Sequence, residues 1–428
     1  PPRWSQVMNS IDASRKAALA THGPEYLVIG AGLAGLSAAM TLHRAGKEVL
    51  VVERGDAVGG RVRTDFESGF VLDRGFQVLL TAYPELERHL DLSQLNLRPF
   101  IRGASVWDKT RFIELSEPRS SLSGSVNALR TRVLTPGDKI RLLRFAIKIL
   151  RSNDGLISKD EDCATGKMFE QLGFSSHSVA LLWEPLSSGI QLTPSLEGSA
   201  RLACLILRCL MLGSAAVPAD GMQAIPQQMA SKLPSDAIRV RTEVENIDRT
   251  RIRMTNGDEI SAPKVILATE GGAAARLLGV PQGSSRSQWH AYFSAPEPPN
   301  DRKSIHLLPA DEGPCRNLAV MSNVAPEYAP KDAALIVVAG PTTESEAPLS
   351  QVQRQLTKMF GSQVESWQIL KAGVVAGAQP LFAPGTPFRR KQDGPQNIVL
   401  AGDHRTTPSI QGALVSGRQA AQTAMEER

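Results

Sequence analysis

Apolar and polar positions change rhythm several times along this chain, and each change marks an element. Glu25-Tyr-Leu-Val-Ile-Gly30 is an apolar run of strand length that ends in glycine. Leu33 to Arg44 is rich in Ala and Leu and reads as a helix, which Gly46 stops. Lys47-Glu-Val-Leu-Val-Val-Glu53 reads as a second buried strand, so the order is β-α-β. Further along, Thr135-Pro-Gly-Asp138 is a helix start, with a capping Thr, Pro in the first turn and an acid at the N-terminal end. In the helix it opens, Ile140, Leu143, Ile147 and Leu150 form a stripe that Leu142, Phe145 and Ile149 broaden. Lys139, Arg141, Arg144, Lys148 and Arg151 fall about the other side. Strand-like runs at Ser105-Val-Trp-Asp108, Trp289–Phe293 and Ala334–Ala339 complete the pattern, with prolines breaking the stretch between the last two.

The turn between the first strand and its helix carries candidate chemistry. Gly30, Gly32 and Gly35 have G-x-G-x-x-G spacing, and Glu53 closes the second strand. Gly30 permits a tight turn, Gly32 lets backbone approach a pyrophosphate, and Gly35 lets helix and strand pack closely. The helix start at Leu33 and Ala34 offers free N–H groups and a positive dipole end. Glu53 suits both hydroxyls of an adenosine ribose and would repel a 2′-phosphate. A tight turn without ligand is the bland alternative. The strand, the helix and the acid together favour a dinucleotide site.

Composition changes the picture little. The 428 residues suffice for two or three domain-sized units. Hydrophobic residues make up 42% and charged residues 21%, ordinary proportions for a globular enzyme. A net charge of +5, with no basic block interleaved with aromatics, argues against a nucleic-acid partner. Cys163, Cys204, Cys209 and Cys315 show no C-x-x-C spacing, so neither a metal site nor a redox disulfide is signalled; buried thiols in a reducing compartment are expected. Cys204 and Cys209 lie in the apolar run LACLILRCLML and are expected in a core. No apolar run is long enough to span a membrane. The chain opens PPRWSQ, without Met, and residues 1–24 are basic and acid-poor, which reads as the tail of a transit peptide or as a disordered terminus. The basic helix at 138–151 could rest on a membrane surface as a peripheral contact; a cap helix over the substrate cavity is the favoured reading.

Beyond Glu53 and Arg54 the chain reads Gly59-Gly60-Arg61-Val62-Arg63-Thr64, then Asp73-Arg74-Gly75-Phe76-Gln77-Val78. With the glycine turn, this run resembles the FAD-dependent amine oxidase / phytoene desaturase-like superfamily. Three more segments are similar to the same superfamily: residues 217–247, residues 264–278, and the closing segment 397–421 with its Gly402-Asp403 pair. The resemblance implies an α/β fold in which a Rossmann-type FAD-binding domain interleaves with a substrate domain of mixed sheet and helices. Residues 25–106, 213–278 and 376–428 would form the first, and residues 107–212 and 279–375 the second. It also implies that Arg61 neutralises phosphate, that Gly75, Phe76, Gln77 and Val78 pass the flavin, and that backbone near Val244 meets adenine. Asp403 would accept from the ribityl chain, and the backbone of Ile410, Gln411 and Gly412 would face the flavin ring. The bland alternatives are a solvated basic loop for Arg61 and Arg63, and a helix-capping acid for Asp403. No second glycine unit signals a nicotinamide domain, so oxygen or a quinone is the expected electron acceptor.

Two departures narrow the substrate. The superfamily's amine oxidases carry a Lys near the flavin, yet Ser287–Phe293 holds none. Their closing segment tends to carry a caging aromatic, and NIVLAGDHRTTPSIQGALVSG has none. The expectation is therefore dehydrogenation or isomerisation of an apolar, isoprenoid- or polyene-like substrate. The rivals are an amine or protoporphyrinogen oxidase, and a non-catalytic FAD- or lipid-binding protein. His290, His404 and Arg405 are tested below as substrate-side groups, but no catalytic residue is assigned. The expected setting is intracellular, cytoplasmic or plastid.

Overall fold

A computed structural model describes residues 23–116, 131–151, 160–392, 394–395 and 398–426. The N-terminal extension, residues 1–24, lies almost wholly outside them. Five short parallel strands form one sheet in the order Ile238–Arg239, Val49–Val52, Tyr26–Ile29, Lys264–Leu267, Ile398–Leu400. The strands are buried on both faces, which is why they read as unbroken apolar runs rather than as alternation. Five helices matter to the site: α1 (Leu33–Arg44), α2 (Pro136–Arg151), α3 (Glu184–Gln191), α4 (Ala200–Leu212) and α5 (Ile410–Glu426).

Helix α5 packs directly on α1. Glycine makes the approach possible: a Cβ on Gly417 would overlap the carbonyl oxygen of Ala34 and sit 2.8 Å from Ser37 Cβ. The Ser37 hydroxyl donates to the Leu414 carbonyl at 2.6 Å across the same contact. In this way the last segment of the chain is fastened to the first.

A second, seven-stranded sheet is mixed. Its order is Gln368–Pro380, Ser285–Ala295, Ala334–Thr342, Asn317–Val320, His306–Leu307, Gly103–Trp107, Phe112–Ser116. One face, with Tyr292, Leu335, Val337 and Ala319, joins the core of the parallel sheet. The other face, with Trp289, Phe293, Ile336 and Val338, packs with Val352, Leu356 and Trp367. Alternation along these strands thus assigns each residue to one of two cores.

The helical unit over the second sheet is built on an aromatic cluster. Phe145 of α2 meets Phe169, Phe174 and Trp183 edge-on, at centroid separations of 6.4, 6.4 and 6.3 Å. Cys204 and Cys209 are buried on α4, as expected, and burial pushes their thiols up to about 12 and about 11. The fold buries only part of the broad apolar stripe that sequence spacing picks out on α2. Ile140, Leu143 and Ile147 are exposed at 56%, 62% and 41%, while Phe145 and Ile149 face inward. The helix is apolar on more than one side, and the side carrying the largest ring wins because it removes the most apolar area from water. Among the described residues, no helix is long and apolar enough to cross a membrane.

The start of α2 matches its sequence signal. Thr135 Oγ1 accepts the Asp138 N–H at 3.1 Å, and Asp138 Oδ2 accepts the Thr135 N–H at 3.1 Å. Asp138 also accepts from the Ser175 N–H at 2.9 Å and hydroxyl at 2.6 Å, tying α2 to the next helical turn. Burial works to raise the Asp138 carboxyl, but the bonds from Ser175 and Thr135 outweigh it and bring it down to about 2. A depressed carboxyl adds stability that is complete above its unfolded value near 4 and is lost as pH falls through about 2. Acid unfolding followed by circular dichroism should therefore show a loss of stability over that window, and Asp138→Asn should flatten it. The same variant should lose about 2 kcal/mol at neutral pH, the linkage counterpart of a carboxyl held at about 2 rather than near 4.

A cofactor groove opening into an apolar chamber

The carboxyl ends of the parallel strands open onto one continuous cavity of about 1660 Å³. Its first part is a polar groove. The strand Tyr26–Ile29 ends at Gly30, whose φ of +103° suits glycine alone without strain. No side chain caps α1, its first turn carries no acid, and its first internal bond runs from Leu36 N–H to the Gly32 carbonyl. The N–H groups before Leu36 therefore have no partner within the helix, and Gly32, Leu33 and Ala34 line the groove. A Cβ on Gly32 would meet nothing within 4 Å, so the space over it belongs to the groove and not to protein. Gly59 crosses Gly32 in an isolated parallel bridge and donates to the Ala31 carbonyl at 2.8 Å. This arrangement presents backbone N–H groups and little else, the chemistry that suits a diphosphate.

Glu53 is fixed against the same turn. Its two oxygens accept the N–H groups of Ala31, at 2.7 Å, and Gly55, at 2.8 Å. Each oxygen keeps a lone pair for a further donor. Arg61 donates to Asp403 Oδ1 at 2.7 Å and to the Ala378 carbonyl at 2.6 Å. Arg63 is buried and paired with Asp56 at 3.0 Å. Neither arginine belongs to a solvated loop. Gln77 donates to the carbonyls of Arg61 and Arg74, at 2.9 and 2.7 Å, which sets the path of the 75–78 turn.

All of the cofactor-site residues named from the sequence lie on the cavity wall except Gly35, Gly75, Gln411 and Gly412. Gly35 packs instead: a Cβ there would overlap the Gly30 carbonyl oxygen and sit 3.3 Å from Val28 Cγ1. Gly75, at φ +96°, lies against Gln288 Oε1. The Gln411 side chain turns away to accept the Glu85 N–H at 2.9 Å. Gly412 donates its N–H to the Ser409 hydroxyl at 3.0 Å and accepts from Thr406 Oγ1 at 2.6 Å.

The three substrate-side candidates, His290, His404 and Arg405, are all absent from the wall. His290 sits beside Lys371 and Asp65, and burial followed by Lys371 pushes its imidazole down to about 4. His404 packs on Gly271 and Gly402, and burial brings it down to about 4. With imidazoles held this low both rings are neutral near pH 7, and neither lines the cavity, His290 being buried and His404 half-buried. The residue that sequence reasoning missed on this strand is Gln288. It lines the cavity, and its Oε1 accepts the Phe76 N–H at 2.9 Å. The pairing of its strand slips between Arg286 and Gln288, a bulge that no hydrophobic pattern announces.

Beyond the groove, the cavity becomes a chamber with an aliphatic wall. Helix α2 contributes Leu142, Leu143, Ala146 and Leu150; α3 contributes Leu186 and Ile190; α4 contributes Ile206, Leu207, Leu210 and Met211. Trp183, Ala104 and Leu307 complete it. The described acids on the cavity wall are Glu53, Asp56, Glu243, Glu270 and Asp403. All five belong to the groove segments that follow or flank the parallel strands, and none lies among the chamber helices.

Comparison with known proteins agrees with this geometry. The model of a family described as flavin containing amine oxidoreductase matches residues 33–425. Polyamine oxidase 2 of Arabidopsis thaliana is 49% identical over 55 residues, 13% of this chain and 11% of that protein. Protoporphyrinogen oxidase 2, chloroplastic/mitochondrial, of the same plant is 29% identical over 172 residues, 40% of this chain and 33% of that protein. The matched stretches thus span a third or less of these curated relatives. The solved structure of cyclohexylamine oxidase from Brevibacterium oxydans IH-35A superposes with a TM-score of 0.66 at 16% identity. That match covers 94% of this chain and 99% of the other, and it establishes the shared fold.

Two glycine substitutions separate ligand space from packing space. Gly32→Val should fold, because its Cβ enters empty groove, yet purify with at least tenfold weaker FAD binding by fluorescence titration. Gly35→Val should instead lose about 3 kcal/mol or more of stability in denaturant titrations, because its side chain collides with the preceding strand.

Proposed function

This chain belongs to the flavin-containing amine oxidoreductase family and is an FAD-dependent oxidoreductase; from that premise we propose that it dehydrogenates or isomerises an apolar substrate of isoprenoid or polyene character. The chamber wall carries this reading. It is mostly aliphatic, every described carboxylate on the cavity lies on the cofactor side, and Lys139 of α2 adds a cation rather than a counter-charge for an amine. An amine of ordinary basicity arrives as a cation, and stripping its water without a counter-charge costs several kcal/mol. A hydrocarbon chain gains about 25 cal/mol for each Å² it buries against such a wall. The identity to a polyamine oxidase does not weigh against this. A 55-residue match cannot encompass a chamber assembled from residues 104 to 307.

The groove fits FAD. The glycine turn and the start of α1 would hold its pyrophosphate, Glu53 its adenosine ribose, and the 75–78 turn with Asp403 and Ile410 its flavin end. When bound, FAD supplies the two-electron acceptor for cleavage of a substrate C–H bond. The chain's own part is positional. Gln288, held by the Phe76 N–H, stands on the wall where groove meets chamber. The α2–α4 helices exclude water from the reacting carbon. His290 and His404 lie off the wall, so neither is placed to exchange a proton with a substrate in the chamber.

A second reading is supported by one pair of residues. Arg102 and Lys139 also line the cavity, and they suit an apolar macrocycle that bears anionic side groups. That is the chemistry named in the protoporphyrinogen oxidase relative. On either reading the substrate is lipophilic, and α2 offers a way in. Its exposed Ile140, Leu143 and Ile147 lie among Arg144, Lys148 and Arg151, a surface suited to an anionic lipid bilayer.

Anaerobic mixing of the FAD-loaded protein with a substrate panel tests the reaction. Isoprenoid polyenes should bleach the flavin band, whereas di- and polyamines should leave it unchanged; bleaching by the amines alone would reverse the assignment. Protein should float with vesicles of anionic phospholipid at low salt, and Ile147→Asp should reduce flotation at least fivefold. Failure of the wild-type protein to float removes the membrane route.

A further inference from the structure

One polar side chain on the chamber wall has no partner of its own among the described residues. Asn317 is 7% exposed and lines the cavity, on the first residue of the strand Asn317–Val320. Its backbone is aligned with Leu307 on one side and Ala339 on the other. It shares a strand face with Ala319, which packs in the core beside the cofactor groove. No described residue hydrogen-bonds its carboxamide, and the amide atoms are not sealed off from the cavity. Leu307 is its partner on the neighbouring strand, and Leu186 and Ile190 stand on either side of Gly189 on α3; all three line the cavity.

The helix opposite is cut to fit this amide. Gly189 lies in the last turn of α3 and does not have a positive φ, so conformation gives no reason for glycine there. A Cβ on Gly189 would overlap Asn317 Oδ1 and sit 2.7 Å from Cγ and 3.0 Å from Nδ2. Glycine in a helix interior is unfavourable relative to alanine. The fold accepts that penalty, and the space gained is filled by a polar group with no partner of its own.

We propose that Asn317 is a specificity-determining anchor, and that the substrate is not a pure hydrocarbon but carries one neutral oxygen function, a hydroxyl or a carbonyl, that binds the Asn317 carboxamide. This deepens the apolar-substrate reading and rests on it. The carboxamide carries no charge and offers two N–H donors and one acceptor oxygen. It therefore complements a neutral group that donates, accepts or does both. A buried amide left without a partner is unfavourable. Oxygen on the ligand removes that penalty, and a bare hydrocarbon leaves it in place. Such sites discriminate more strongly against the analogue that lacks the polar group than against one that is merely smaller.

Matched pairs test the assignment: an isoprenoid alcohol or ketone and its parent hydrocarbon, each titrated into FAD-loaded protein. Binding is followed by quenching of tryptophan fluorescence, to which Trp183 on the wall contributes, and reduction by anaerobic flavin bleaching. Wild-type protein should prefer the oxygenated member by roughly ten- to a hundredfold. Asn317→Leu, which keeps the volume and removes the polarity, should collapse that ratio toward one. Gly189→Ala, which displaces the amide without altering its chemistry, should reduce the ratio in the same direction, and a thermal melt of each variant shows that it is folded. Equal affinity for both members of the pair in the wild type, or a preference that survives Asn317→Leu, overturns the anchor. If neither member binds while an amine does, the reading of an apolar substrate fails. An amine affinity that Asn317→Leu leaves unmoved then overturns the anchor too.

Discussion

A single buried carboxylate ties the hairpin Thr64–Asp73 to the second sheet and to the segments at Met222 and Tyr328. Asp73 ends the hairpin strand Phe70–Asp73 and is 3% exposed. Its Oδ1 accepts from Thr64 Oγ1 at 2.6 Å and from the Met222 N–H at 2.8 Å. Its Oδ2 accepts the Tyr328 hydroxyl at 2.9 Å, and its backbone carbonyl accepts the Tyr292 hydroxyl at 2.9 Å. Four segments distant in sequence meet at this one residue. Burial pushes the carboxyl up to about 6, against the three donors that pull it down. A buried charge survives when its lone pairs are satisfied, and the surroundings of Asp73 are arranged to do that.

The geometry around Asp73 explains why groove and chamber form one space. Tyr292 lies on the strand that also carries Gln288, and Asp73 lies two residues before the Gly75 turn. The clasp between hairpin and sheet therefore fixes where the 75–78 turn meets Gln288. Arg61 makes a second clasp, to Asp403 from the end of the chain and to Ala378 from the edge strand. The described carboxylates concentrate along the groove, while the chamber wall is mostly aliphatic, with Lys139 of α2 its one charged contribution from the chamber helices. One end suits a doubly anionic cofactor and the other a water-poor reaction. The cap helices α2 to α4 complete the chamber, held by the ring cluster of Phe145, Phe169, Phe174 and Trp183.

Much of the groove was legible because its physics is local. The turn at Gly30, the opening of α1 and the acid at Glu53 lie within one β-α-β unit, and spacing alone sets their relation. The start of α2 was legible for the same reason, since a Thr and an Asp three residues apart can cap each other without outside help. Legibility failed where distant segments compete. The spacing on α2 gave one broad apolar stripe from Ile140 to Leu150 and could not say which part of it is covered; the aromatic cluster buries Phe145 and Ile149 and leaves Ile140, Leu143 and Ile147 exposed. His290, on the strand Ser287–Phe293, and His404, next to Asp403, drew attention as substrate-side groups, yet neither lies on the cavity wall.

The sequence by itself determined that this chain builds a glycine-rich strand–turn–helix unit on a parallel sheet, and that no lysine stands on the strand between Ser287 and Phe293. These follow from residue identity and short-range spacing, which the chain carries whether folded or not. Only the tertiary structure decided what surrounds the substrate. The aliphatic wall draws on α2, α3, α4 and two strands separated by some two hundred residues, and the distribution of its charges emerges when those pieces close together. Gly189 and Asn317, 128 positions apart in sequence, become meaningful only as neighbours across that wall. A contact between distant residues leaves no periodic trace in either segment, so the polarity of a cavity is a property of the fold.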